Sequence, residues 1–278
     1  MGALITLAIL FVVALILYVI AIKPTSRRHA LTQELKKYRY AHRGLFSPEK
    51  SIPENSLAAF RAAIDNGYGF ELDVHLTADK RLAVIHDSGL RRTAGVDKDI
   101  SRLTYDEVSH CRLEGTEEGI PLFEDVLVLN GGRVPMIIEV KTDAGNADEI
   151  VRVLLKSLEG YSGAYCVESF YPDVLMALKR CAPEVMRGQL SCDVRREDMS
   201  FSRIKNFVLK NLLTNFLTKP DFVAYAHEDR GCFSVSLCRR LYRPREFYWT
   251  VRDKDTLAIC ESLGAGIIFD GFDPNDAG

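Results

Sequence analysis

From Ala3 to Ile22 every residue is apolar except Thr6 and Tyr18. A helix of that length, rising 1.5 Å per residue, crosses a ~30 Å hydrocarbon core. After Tyr38 the pattern becomes short apolar runs alternating with longer stretches of helical period. Strands are predicted over 39–42, 69–75, 82–86, 134–141, 164–168, 185–190, 221–225, 246–251 and 266–270. Helices are predicted over 56–66, 146–158, 172–181, 234–242 and 254–263. Strand followed by helix at this spacing makes a parallel sheet with right-handed crossovers, and roughly eight such units in ~240 residues form a closed (β/α)8 TIM barrel. The run 82–86 follows 69–75 too closely for a crossover helix and reads as an extension of the second unit. Residues 88–121 then read as a small insertion after the second strand, ahead of a helix over 122–129. The last strand lies so near the chain end that an eighth helix is short or absent, and a helix over Thr32–Lys37 covers the barrel bottom instead.

Composition and charge refine this division into a transmembrane anchor (1–22), a basic juxtamembrane linker (23–37) and a barrel (38–278). With 36 Lys+Arg, 38 Asp+Glu and 47% hydrophobic residues in 278, the chain can bury a sizeable core. A pI near 6.3 argues against nucleic acid as partner. The positive charge is local: Lys23, Arg27, Arg28, Lys36, Lys37 and Arg39 face only Glu34 in the first forty residues, as suits a segment lying against anionic head groups. No basic residue precedes the apolar run and Val19-Ile20-Ala21-Ile22 is a poor cleavage site, so the run reads as an uncleaved single-pass anchor. The cations that follow it place the barrel on the cytoplasmic side. Seven scattered cysteines without C-x-x-C spacing read as free thiols of a reducing compartment. The stretch 201–217, with Ile204, Phe207, Val208, Leu212 and Phe216 among Arg203, Lys205 and Lys210, reads as a barrel helix burying an apolar stripe, the alternative being a helix lying on the bilayer.

The candidate chemistry sits at strand ends, where barrel enzymes place it. Glu71, Asp73 and His75 share one face of the second strand, as do Glu139 and Lys141 of the third. Three carboxylates aimed into one pocket repel one another unless a hard divalent cation lies among them, and oxygen ligation favours Mg2+ or Ca2+ over zinc. Arg43 and Lys141 bring positive charge suited to a phosphate oxygen. His42 and His86, at the ends of early strands, suit acid and base work near neutral pH. Asn55 or Ser56 suits a helix N-cap, and Glu54 is a candidate pocket residue. Trp249, the sole Trp, is a candidate to pack against the substrate or in the core. His75 reads as structural, His29, His110 and His227 take no role, and Glu114, Glu117 and Glu118 read as surface charge.

In order along the chain stand His42-Arg43-Gly44, Pro53-Glu54-Asn55-Ser56 with Ala59-Phe60, Glu71-Leu72-Asp73-Val74, Thr77-x-Asp79, His86-Asp87, Glu139-Val140-Lys141 and Trp249-Thr250-Val251. Over 38–273 this series resembles the glycerophosphodiester phosphodiesterase family. The resemblance implies a metal-dependent barrel that hydrolyses glycerophosphodiesters to glycerol 3-phosphate and an alcohol. It implies Glu71, Asp73 and Glu139 as metal ligands, His42 and His86 as the acid and base, and Arg43 and Lys141 as phosphate contacts. Two positions depart from the family pattern. Lys80 stands where members often have glycine, which makes that turn costlier, and the altered 269–274 segment makes Asp270 a doubtful site residue. The anchor brings in a lysophospholipid substrate, cleaved in lysophospholipase D fashion, as the second enzymatic reading. A catalytically silent, membrane-tethered phosphodiester-binding protein is the third.

Overall fold

Nine apolar runs form strands: β1 (Arg39–Ala41), β2 (Gly69–Leu76), β3 (Leu82–Val84), β4 (Met136–Val140), β5 (Tyr165–Ser169), β6 (Arg187–Ser191), β7 (Phe222–Ala226), β8 (Arg245–Val251) and β9 (Gly266–Phe269). The computed structural model describes residues 1–27, 29–142, 145–193 and 202–275. All strands but β3 run parallel, and β1 closes the ring by pairing with both β2 (Tyr40 beside Gly69) and β9 (Tyr40 beside Ile268). The result is an eight-stranded TIM barrel. The run at 82–86 belongs to the second unit, as expected. β3 folds back antiparallel on β2, Val84 opposite Val74, and stands outside the ring. The tight turn that allows this holds Lys80 at φ +63°, the costly conformation expected there.

Strand alternation sorts side chains into two cores. Phe70, Leu72, Val74, Ile138 and Val140 point outward and are buried under helices that include Leu57–Asp65, Phe123–Asn130, Ala147–Ser157 and Pro172–Cys181. Each such side chain contributes about 1.5–3 kcal/mol on leaving water. Inward, Tyr40, Phe222 and Phe247 fill the floor of the barrel. Glycines make the space: a Cβ at Gly188 would collide with the Phe222 ring, and one at Gly266 with the Phe247 ring. Leu35, on the short helix Thr32–Leu35, closes the floor from below, its carbonyl accepting from Tyr40 Oη at 2.8 Å. Among the described residues no helix follows β9, so this turn covers the barrel bottom as expected.

The inserted segment builds a small core of its own from Leu90, Ile100, Leu103, Val108, Leu113 and Ile120. Residues 203–218 depart from the expected burial. Helices Arg203–Lys210 and Asn215–Thr218 leave Ile204, Phe207, Phe216 and Leu217 exposed, while Asn206, Asn215 and Thr218 are buried. Polar ties fix that rotation: Asn206 Nδ2 donates to Asp193 Oδ1 at 3.3 Å, and Ser191 Oγ donates to the Leu209 carbonyl at 2.8 Å. Phe201 lies outside the described residues.

The apolar run forms one helix, Gly2–Ala21, long and apolar enough to cross a membrane. Its end is docked on the barrel. Ile22 is fully buried among Leu212, Val223, Tyr225, Val235 and Cys238, and its carbonyl accepts from Asn215 Nδ2. The basic segment that follows runs along the base: Arg27 forms a bidentate pair with Asp221 at 2.9 and 2.7 Å, and Thr25 N donates to the Pro220 carbonyl. Arg28 lies outside the described residues. Among the described residues none of the seven cysteines forms a disulfide.

Candidate active site

The C-terminal ends of the early strands bring the acidic residues together. Ligand oxygens of Glu71, Asp73 and Glu139 lie within 4.8 Å of one another, and all three side chains are buried. Asp73 is the hub. Lys141 Nζ sits 3.1 Å from its Oδ1 and 2.7 Å from Glu139 Oε1, and Asn55 Nδ2 donates to its Oδ2 at 2.9 Å. Glu71 accepts from the Arg43 backbone N–H at 3.0 Å. Arg43 Nη1 reaches both oxygens of Glu54 at 3.0 Å, and its buried Nε, 3.7 Å from Asp73, makes no hydrogen bond among the described residues.

The local backbone explains this convergence. Arg43, Gly44 and Asn55 all take positive φ, turning the chain sharply out of β1 and into helix Leu57–Asp65. Ser56 caps that helix, accepting from Ala59 N at 3.1 Å, which leaves the Asn55 side chain to hold Asp73.

Each candidate histidine is backed by a carboxylate. His42 Nδ1 donates to Asp270 Oδ2 at 3.0 Å, and Arg252 Nε holds the other oxygen at 2.9 Å. His86 Nδ1 donates to Asp87 Oδ1 at 2.7 Å. Arg92, from the insertion, bridges Asp87 and Glu54, both at 2.6 Å. His75 donates through Nε2 to the His86 carbonyl at 3.0 Å, a positioning contact rather than a free face.

The electrostatics follow from burial and neighbours. Burial, with Asp73, Glu139 and Glu168 alongside, pushes the Glu71 carboxyl well above the ordinary carboxylate range. Burial, opposed by Lys141 and reinforced by Asp73, raises Glu139 to about 7. Asp73 is buried too, yet Lys141, His86, Arg43 and Asn55 hold it well below its usual value. Burial and Arg43 lower His42 despite Asp270, while burial and Lys141 lower His86 to about 4. Both imidazoles are therefore neutral at pH 7. Asp87 and Asp270 are shifted down and stay ionised, so each Nδ1 carries the proton and each Nε2 keeps a lone pair.

The donor set fits a hard divalent cation. It is oxygen-only; Asp73 Oδ1 and Glu139 Oε1 face the Lys141 ammonium as ion pairs, and the nearby Glu168 Oε2 is buried without a hydrogen bond among the described residues. Trp249 lies in the lumen, 9% exposed, edge-on to Phe170 at 5.7 Å, with its buried Nε1 lacking a partner among the described residues. Asp270, doubted from sequence, stands in the site against His42, while Asp87, Arg92, Asn55 and Glu168 are not singled out as site residues by the sequence. The Asp next to His86 was visible as a dipeptide, but the others become neighbours only through the fold. Glu118, read as surface charge, instead accepts from Ala58 N at 3.3 Å, on the first turn of the Leu57–Asp65 helix.

A closed parallel barrel with an acidic, cation-compatible cluster beside two carboxylate-backed histidines defines a class of barrel proteins suited to phosphate esters. The model of the glycerophosphoryl diester phosphodiesterase family matches residues 42–273, and the chain belongs to that family. A glycerophosphodiester phosphodiesterase of Bacillus altitudinis is 34% identical over 166 residues, 56% of this chain and 66% of that protein. A lysophospholipase D of Rattus norvegicus is 32% identical over 145 residues, 46% of this chain and 45% of that protein. Among solved structures, an Oleispira antarctica phosphodiesterase in complex with the product sn-glycerol-3-phosphate aligns with TM-score 0.68 and 20% identity, covering 84% of this chain and 92% of that one.

Proposed function

We propose that this chain hydrolyses glycerophosphodiesters to glycerol 3-phosphate and an alcohol, using a divalent cation, Mg2+ or Ca2+, held by Glu71, Asp73 and Glu139. The observation that carries the reading is the convergence of those carboxylates with Lys141, Arg43, His42 and His86 at one end of a barrel of this family. When bound, the cation neutralises the phosphodiester and stabilises charge developing at phosphorus. Lys141 and Arg43, whose Nε makes no hydrogen bond among the described residues, supply the remaining positive charge for the phosphate oxygens. His42 and His86 are fixed at Nδ1 by Asp270 and Asp87: one accepts the nucleophile's proton at its free Nε2 and later returns it to solvent, while the other acts once it has taken up a solvent proton at Nε2, which it passes to the departing alkoxide. Trp249 and Glu54 border this centre, Trp249 as a surface for the alcohol moiety and Glu54 as the group that orients Arg43. The intact set speaks against a silent binding protein.

The helix Gly2–Ala21 spans the membrane in this reading, with the barrel on the cytoplasmic side because the flanking cations all follow it. The rat relative's name and the anchor favour one second reading, cleavage of lysophospholipids in the membrane. The test is full-length protein in vesicles, assayed on glycerophosphocholine, glycerophosphoethanolamine and lysophosphatidylcholine with EDTA, Mg2+ or Ca2+. Metal-dependent release of glycerol 3-phosphate, lost in His42→Ala and Glu71→Ala, is the expected result. Preferential release of lysophosphatidate selects the second reading, and no turnover by folded, metal-loaded protein removes both.

A further inference from the structure

The contacts of the anchor are ordered along the barrel axis. Tyr18 meets Ser234 and stacks on Phe233 with ring centroids 6.3 Å apart, at the start of the helix that follows the C-terminal end of β7. Four residues on, Ile22 packs against Val235 and Cys238, farther down that helix. Thr25 then bonds Pro220, and Arg27 bonds Asp221, just before the N-terminal end of β7. From Tyr18 to Arg27 the chain therefore descends from the mouth of the barrel to its base. The apolar residues before Tyr18 depart from the mouth end.

The last turn of the helix, around Tyr18, is docked on protein, so a spanning helix brings the barrel rim beside Tyr18 to the membrane surface. That rim carries the apolar side chains such a position needs: Ile204 is 78% exposed, Phe207 59% and Phe233 69%. The helix bearing the first two is held over the end of β6 by Ser191 and Asp193. Arg203 flanks them and suits lipid phosphates, while Lys205 sits 4.6 Å over the Tyr171 ring.

We infer that the mouth of the barrel faces the bilayer, with Ile204, Phe207 and Phe233 immersed at the lipid interface, so that the site draws its substrate from the membrane surface. This rests on the anchor spanning a membrane. It goes beyond that reading by fixing which end of the barrel the lipid meets.

The test uses full-length protein in phosphatidylcholine vesicles containing phospholipids brominated on the acyl chains, which quench tryptophan. Leu7→Trp reports the anchor, Phe207→Trp and Phe233→Trp the mouth rim, and Leu263→Trp the opposite end, where Leu263 is 54% exposed just before β9. Each is read as added emission over the wild-type Trp249 signal. Rim tryptophans are expected to lose about half their added emission, as rings buried ~5–10 Å into the boundary do, and Leu263→Trp almost none. Quenching at Leu7→Trp with none at the rim, or stronger quenching at Leu263→Trp than at the rim, overturns the orientation while leaving the anchor in place. Absence of quenching at Leu7→Trp removes the anchor reading and this inference together. Hydrolysis of soluble glycerophosphocholine is a separate readout that none of these outcomes touches.

Discussion

At the scale of single residues, carboxylates hold the other groups of the candidate site in place. Asp270 holds His42 and is itself held by Arg252. Asp270→Asn removes the charge that fixes the His42 tautomer, so kcat is expected to fall about 10²-fold or more with KM little changed, measured by steady-state kinetics on glycerophosphocholine. His86 offers a pH test. Its value in the folded protein, about 4, lies below the ordinary imidazole value of 6.5. The unfolded chain thus binds more protons between those two values, and His86 contributes stability that is present above pH 6.5 and lost as pH falls toward 4. The His86 ring resonance should titrate near 4, and Asp87→Asn should move the midpoint lower still, since Asp87 is one of the groups holding it up. A midpoint at or above 6.5 contradicts the burial argument.

Elements matter here for how they close the barrel. The turn Thr32–Leu35 was legible as a helix, but its job depends on Leu35 meeting Tyr40 and Phe247 across the floor. Leu35→Ala should cost about 2–5 kcal/mol in denaturant unfolding while leaving metal affinity unchanged. Gly188→Ala should destabilise by about 1–3 kcal/mol or more, because the new methyl drives into the Phe222 ring and both lie on rigid neighbouring strands. The strand–helix alternation was readable because each element carries its own period. The fold-back of β3 was not, because a three-residue apolar run says nothing of its partner's direction. The exposed apolar face of Arg203–Lys210 was misread for a related reason. Period identifies a stripe but not what covers it, and here Asp193 and Ser191 hold the polar side of the helix inward.

At the scale of the whole molecule, the N-terminal helix and the barrel are joined more tightly than by a flexible tether. Ile22 fills a pocket in the barrel wall, and Arg27 pairs with Asp221, whose side chain is fully buried. Removing residues 1–29 should therefore destabilise the barrel by about 3–5 kcal/mol, chiefly by leaving the Asp221 charge buried without its partner. Removing residues 1–17 should leave its unfolding midpoint within about 0.5 kcal/mol of the full chain. Cation binding acts on the same scale. Mg2+ or Ca2+ at a hundred times its Kd should stabilise the fold by about 2.7 kcal/mol, read by calorimetry, and Glu139→Gln should abolish most of that gain.

What the sequence by itself determined was local or periodic. The N-terminal helix follows from a run apolar but for Thr6 and Tyr18, the barrel from alternating periods, and the acidic and basic groups of the candidate site from their places at strand ends. The family likeness also lies in short motifs in order. What only the tertiary structure decided was every relation between distant segments: Asp270 against His42, Arg92 across Asp87 and Glu54, Asn55 on Asp73, and the anchor descending along β7. Those pairings join residues up to 228 positions apart. Barrel closure makes them neighbours, and no local preference of the chain encodes which strand end will face which.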